Sequence, residues 1–135
     1  MIVCVLLLFL PLKKIPTATA QEHKIAVVKN KPVIYQPQKL KAVKSLFKAN
    51  LAKHVPKEPF KGAVRLQVMW LFPMGKSHAD GEFKITRPDT DNLQKLFKDV
   101  MTELHYWKDD AQVCSEHCEK RYAKITGIFV VIESI

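Results

Sequence analysis

Two pairs of aspartates and one lysine carry the strongest chemical signal in this sequence of 135 residues. Asp89 and Asp91 stand two apart where a loop or strand end gives way to a helix, and Lys95 follows Asp91 by four residues, on the same helical face. Asp109 and Asp110 come after that helix, past a short turn containing Tyr106 and Trp107. Carboxylates at a backbone bend can converge on one hard cation, because Mg²⁺ requires oxygen ligands and negative charge. If the chain doubles back beside the helix, one of the later aspartates returns to the earlier pair, and three carboxylates and a lysine surround one site. Such a group binds Mg²⁺ or Mn²⁺ and can activate water for attack on a phosphodiester. The lysine would neutralise charge that builds on the phosphate in the transition state. Packing carboxylates together without a cation is costly, since like charges raise each other's pKa. A plainer reading fits the same spacing: Asp89 as a helix cap, Asp91 and Lys95 as a surface ion pair, and Asp109-Asp110 as a turn.

Other chemistries have less support. Cys114, His117 and Cys118 lie close together with His105 upstream, but C-x₂-H-C with no matching pair elsewhere is a poor zinc pattern. A strand through this segment would also send Cys114 and His117 to opposite faces. Neither G-x-x-x-x-G-K-[ST] nor G-x-G-x-x-G occurs, so no nucleotide cofactor is expected. A G-x-S-x-G nucleophile turn is missing too.

The elements that must position these residues follow from hydrophobic spacing. Thr90 to Leu104 is the clearest helix, with Leu93, Leu96, Phe97, Val100, Met101 and Leu104 on one stripe. That stripe buries one side and turns the side bearing Asp91 and Lys95 toward a cleft. Pro37 to His54 reads as a second amphipathic helix, its stripe made of Leu40, Val43, Leu46, Phe47 and Leu51. Lys41, Lys44, Lys48 and Lys53 lie off that stripe. Gly62 to Phe72 alternates as a strand, with Val64, Leu66, Val68 and Trp70 on one face. Ile2 to Phe9 predicts a buried strand stopped by Pro11. Ile25 to Val28 and Val33 to Tyr35 are short β-prone runs around a turn at Asn30-Lys31-Pro32. Pro73 to Thr86 reads as a loop with a turn at Asp80-Gly81, and Gln112 to Tyr122 and Ile125 to Glu133 as two closing strands turned near Ala123-Lys124. The coarse order is strand, strand, helix, strand, helix, strand, strand. It predicts a single α/β or α+β domain over residues 1–135, a mixed sheet with two main helices packed on it.

Charge points to a partner. Lys and Arg total 22 against 13 acids, a net charge of +9. Eleven basic residues and one acid, Glu58, fall between Lys24 and Arg65, which leaves the remainder close to neutral. A segment this one-sided repels itself unless a polyanion shares the site, so nucleic acid is the expected partner. The apolar content of 47% excludes a disordered chain, and 4 Gly and 8 Pro without period exclude a collagen-like one. Three cysteines argue against a disulfide framework and for a reducing, cytoplasmic compartment. The apolar run Met1 to Leu10 is too short to span a bilayer and has its positive charge, Lys13-Lys14, on the wrong side for a signal peptide. Thr17-Ala18-Thr19-Ala20 nonetheless imitates a cleavage site, which keeps export as a rival reading of residues 1–13.

Two blocks in order, Asp89-Thr90-Asp91-Asn92-Leu93-Gln94-Lys95 and Tyr106-Trp107-Lys108-Asp109-Asp110-Ala111-Gln112-Val113, closely resemble the RusA family of Holliday junction resolvases, whose signature is D-x-D-N-L-x-K, a helix, then W-x-D-D-x-Q-V. Ile15 to Gln21 is similar to the N-terminal region of phage-type members, and the resemblance extends from about Lys14 to the C-terminus. It implies a small homodimeric endonuclease of prophage or bacterial origin that cuts four-way DNA junctions with Mg²⁺ or Mn²⁺, by paired nicks in opposed strands. It places Asp89, Asp91 and Asp110 on the catalytic, metal-holding aspartates and Lys95 on the essential lysine, with Asp109 a neighbour. The expected DNA contacts are Lys39, Lys41, Lys44, Lys48 and Arg87. Phosphate contacts of this kind add little sequence discrimination and make affinity fall steeply with salt. A non-catalytic basic DNA-binding module with the same fold is the alternative.

Overall fold

Apolar runs and amphipathic stripes become strands and helices in the computed structural model, which describes residues 4–16 and 38–135 in full and, between them, only the backbone of two strands. In chain order the elements are β1 (Val5–Pro11), β2 (Lys24–Val28), β3 (Lys31–Tyr35), α1 (Gln38–Leu51), β4 (Val64–Pro73), α2 (Thr90–Glu103), β5 (Val113–Ala123) and β6 (Gly127–Ser134). Four strands form one mixed sheet in the order β1-β6-β4-β5, while β2 and β3 pair antiparallel as a separate hairpin. β6 runs antiparallel to both β1 and β4, and β5 runs parallel to β4. The architecture is a single α+β domain with both helices on one face of the sheet.

β4 is central, and its alternation does what its sequence implies: Val64, Leu66, Val68, Trp70 and Phe72 are all buried. Against them pack Leu40, Val43, Phe47 and Leu51 of α1, and Leu93, Leu96, Phe97, Val100 and Met101 of α2. Three aromatic rings join the layers, Trp70 lying 5.9 Å from Phe47 and 5.2 Å from Phe97, with Phe47 and Phe97 also 5.2 Å apart and edge to face. The two helices are tied at the surface by Lys44 and Lys48, which reach the Glu103 carboxylate at 3.3 and 3.0 Å. Those ammonium groups, Lys48 foremost, hold the Glu103 carboxyl below its ordinary range.

Four expectations need correction. β1 is an edge strand with one open face, so Leu8 and Leu10 are buried while Val5 and Leu7 are 53% and 63% exposed. An apolar run cannot tell which of its faces will be covered, and Ile2 lies outside the described residues. The last two strands are not neighbours: β4 lies between them, so the connection from Ala123 to Gly127 straddles the end of β4. At that crossing a Cβ on Gly127 would collide with the Leu10 carbonyl and the Phe9 ring. Leu46 sits at the margin of its stripe and is 38% exposed. Lys31 and Pro32 belong to β3 rather than to a turn, since an edge strand tolerates a residue without an N–H; the β2–β3 connection itself is outside the described residues. So is the Thr17–Ala20 segment read as resembling a cleavage site.

Truncating Phe97 removes a fully buried ring from contact with two others. Phe97→Ala should destabilise the fold by about 3–5 kcal/mol, seen as a lower urea midpoint at unchanged m. Leu7→Ser on the open face should shift that midpoint far less.

Candidate functional site: a cleft between the second helix and an edge strand

The site begins where α2 begins. Pro88 favours an extended approach, and Asp89 takes the N-cap position with extended backbone (φ −75°, ψ 148°). Its carbonyl accepts from the Leu93 N–H at 3.2 Å, but its carboxylate makes no capping hydrogen bond. An exposed carboxylate is thus left uncommitted at the positive end of a helix of 14 residues, with Asp91 in the first turn.

The segment leading into that N-terminus is strapped to β5. Backbone bonds run from Gly81 N to Tyr122 O (2.7 Å), from Tyr122 N to Glu82 O (2.8 Å) and from Lys84 N to Lys120 O (3.0 Å). The Lys120 ammonium then donates to two carbonyls, Thr86 O at 2.7 Å and Pro88 O at 2.8 Å. Arg121 reaches Gly81 O at 2.8 Å while its guanidinium pairs with Glu119. The residue before Asp89 is therefore fixed to β5 by a charged donor.

Farther along, a polar chain that runs from the core out to the surface fixes α2 against the sheet. The Trp70 indole donates to Gln94 Oε1 (2.8 Å), Gln94 Nε2 donates to Glu116 Oε2 (2.7 Å), and Lys98 Nζ donates to Glu116 Oε1 (2.9 Å). Between α2 and β5 lies an open cleft of about 510 Å³, lined by Asp91, Lys95, Lys98, Asp110 and Glu116 among others. Cys118 also lines it; burial pushes its thiol up to about 12, which favours the neutral form.

The paired aspartates after the helix do different jobs. Asp109 caps a short 3₁₀ turn, Asp110–Gln112, accepting from Ala111 N at 2.8 Å. Gln112 completes a capping box through the Asp109 N–H and donates to Phe60 O and Gly62 O, both at 3.0 Å. Trp107 is buried, its indole donating to Thr102 Oγ1 at 2.8 Å. With its neighbours anchoring the turn, Asp110 is the member of the pair that lines the cleft.

Asp91, Lys95 and Asp110 thus border one cleft, while Asp89 stands at the helix start outside its lining. Among the described residues no three His, Cys, Asp or Glu side chains gather closely enough to hold a metal by themselves. Lys95 pairs loosely with Asp99, at 3.7 Å, rather than with Asp91. Of the cations expected at DNA, Lys39, Lys41 and Arg87 are exposed, and Lys44 and Lys48 share Glu103. Gln94, Lys98, Glu116 and Lys120 went unread. Their signal was available: Glu116 and Lys120 share a strand face with buried Tyr122, and charge on a face that also buries a tyrosine needs partners.

Lys120→Met deletes both bonds to the strap. It should lower stability by about 1–3 kcal/mol while amide exchange accelerates at residues 84–90 and not in β4 or β6; uniform acceleration would show that Lys120 does not hold this segment in particular.

The match to known proteins covers this whole region. Residues 15–133 match the protein-family profile described as Endodeoxyribonuclease RusA. The chain is 36% identical over 104 residues to the crossover junction endodeoxyribonuclease rusA of Lactococcus phage r1t, an alignment spanning 76% of this chain and 77% of the phage protein. It is 30% identical over 110 residues to the uncharacterized protein YqaN of Bacillus subtilis (strain 168), spanning 73% of this chain and 77% of that one. Both aspartate blocks, the strap and the cleft lie inside the matched span, and the chain belongs to the RusA family of endodeoxyribonucleases.

Proposed function

We propose that this RusA-family Holliday junction resolvase hydrolyses phosphodiesters of four-way DNA with Mg²⁺ or Mn²⁺, using Asp89, Asp91, Asp110 and Lys95. The observation that carries the assignment is that Asp91, Lys95 and Asp110 border one open cleft although the two aspartates stand 19 positions apart. The donor set suits the ion. Mg²⁺ is commonly held by one or two carboxylates, with waters and substrate phosphates completing its shell, so a closed protein cage is not required. Asp91 and Asp110 in the cleft and the uncommitted Asp89 carboxylate would hold it. When bound, the metal supplies positive charge against the scissile phosphate and eases deprotonation of water.

The chain's own residues do the rest. The α2 N-terminus presents backbone N–H groups that favour a phosphate. Lys95, 65% exposed and weakly paired, is free to swing onto a phosphate and oppose the charge that grows there. Lys98 is held in the cleft wall by Glu116. Lys39, Lys41 and Arg87 would contact phosphates outside the cleft, joined by Lys44 and Lys48 where DNA displaces Glu103. Two copies of the chain, as a homodimer, would supply the two cuts a two-fold junction needs. A reducing cytoplasm, where DNA and free thiols coexist, suits the three unpaired cysteines. The alternative to be excluded by experiment is a DNA-binding module of the same fold that does not cut.

A gel assay on a synthetic four-way junction and a matched duplex separates the two. Wild-type protein should give paired nicks on the junction alone in Mg²⁺ or Mn²⁺ and none in EDTA; binding without cutting under every metal would establish the module. Asp91→Asn should abolish cutting and leave junction binding equal or tighter, one negative charge having been removed near the phosphates. Normal cutting by that variant would dismiss the assigned site. Lys95→Ala should lower kcat by roughly 10²-fold or more with little change in KM, as for a group acting in the transition state. Equal losses in rate and affinity would make it a plain phosphate contact.

A further inference from the structure

Ile85 is 94% exposed, more than any other large apolar residue among those described, and it precedes Asp89 by four residues. Single exposed apolar side chains are ordinary on protein surfaces. What sets this one apart is how it is held. Lys84 N donates to Lys120 O at 3.0 Å, Lys84 Nζ donates to Thr86 Oγ1 at 2.8 Å, and Lys120 Nζ donates to Thr86 O at 2.7 Å. The backbone is pinned on both sides of Ile85, so the side chain cannot retreat into the core. Two residues earlier Phe83, itself 56% exposed, lies against the Arg121 guanidinium at 3.9 Å. From Phe83 to Arg87 the segment carries two cations and no acid, and Arg87 is exposed.

A rigid apolar tip set among cations, beside residues that would direct water onto a phosphate, fits a surface that is apolar within a polyanion. An unstacked nucleobase is such a surface. Pushing an apolar side chain between stacked base pairs requires unstacking them. At the crossing of a four-way junction stacking is already interrupted, so the same side chain enters at less cost than in a duplex. We infer that Ile85 is an apolar wedge that packs on an unstacked base at the branch point, with Arg87 on the adjoining phosphate, and so favours branched DNA over duplex at the cutting site. The inference rests on the proposed action at junctions.

The test uses the full chain in EDTA and a four-way junction with 2-aminopurine at the branch point. Wild-type protein should raise the emission as the base unstacks. Ile85→Ser should remove most of that rise and narrow the junction-over-duplex affinity ratio about tenfold, in the range of one lost base contact. Ile85→Leu should retain both. An Ile85→Ser emission equal to wild type would overturn the wedge, as would a wild-type complex in which the base stays quenched. A variant that keeps the emission but loses self-association in sedimentation would reassign Ile85 to contact with a second copy. The same junction, incubated with wild type and Mg²⁺, tells the failures apart: cutting by wild type with unchanged Ile85→Ser emission removes the wedge alone, and no cutting removes the junction reading beneath it.

Discussion

A tryptophan buried beneath a helix needs an acceptor for its indole N–H, and Trp70 finds one in the equally buried Gln94. That bond determines much of what lies outward from it. Gln94 then has its amide nitrogen to place, and Glu116 on β5 accepts from it; Glu116 has its other oxygen left, and Lys98 donates to it. The network joins the central strand, the helix and the edge strand through directional contacts, where apolar packing alone would let the helix slide or rotate. A rotation of α2 would carry Asp91 and Lys95 away from the cleft. Because the amide is buried, removing either partner leaves an unsatisfied polar group, a larger loss than the bond's own net worth. Rigidity at the floor of the cleft is thereby coupled to the folding of the core.

Above that floor the attachments are of a weaker, exchangeable kind. Lys95 to Asp99 and the two lysines on Glu103 are exposed pairs, worth about 0–1 kcal/mol each. A polyanion can take those cations at little expense, whereas the lysine that grips the α2 approach, Lys120, is bound to two uncharged carbonyls and has a structural task. The positive excess of the chain is accordingly of two sorts, one mobile and surface-held, one built into the frame.

How far the sequence could be read follows from the range of the interactions involved. α2 and β4 were legible because each buries one continuous face in one core, so local period and final burial coincide. The two aspartate blocks were legible because residue type and spacing survive without coordinates. The open face of β1 was not, since exposure there is decided by which neighbours the sheet supplies. The insertion of β4 between β5 and β6 was equally hidden, because strand pairing is non-local. Lys120 escaped notice because its partners are backbone carbonyls, which carry no residue signature. The distinct tasks of Asp109 and Asp110 lay within reach, as Asp109 and Gln112 have the three-residue offset of a capping box.

The strand order β1-β6-β4-β5 carries a consequence for biogenesis. β6 follows the other strands of this sheet in chain order yet lies between β1 and β4, pairing Leu8 with Val130 on one side and Val68 with the same Val130 on the other. A ribosome emitting this chain cannot complete the sheet until β6 emerges. β1, an apolar strand with no partner in the described sheet except β6, must wait through the synthesis of both helices and of β4 and β5. The molecule is thus assembled by a closing strand, and its folding is governed by contacts of great sequence separation, which make for slow closure. Until then the chain exposes an unpaired apolar edge, the kind of surface that attracts chaperones or like chains.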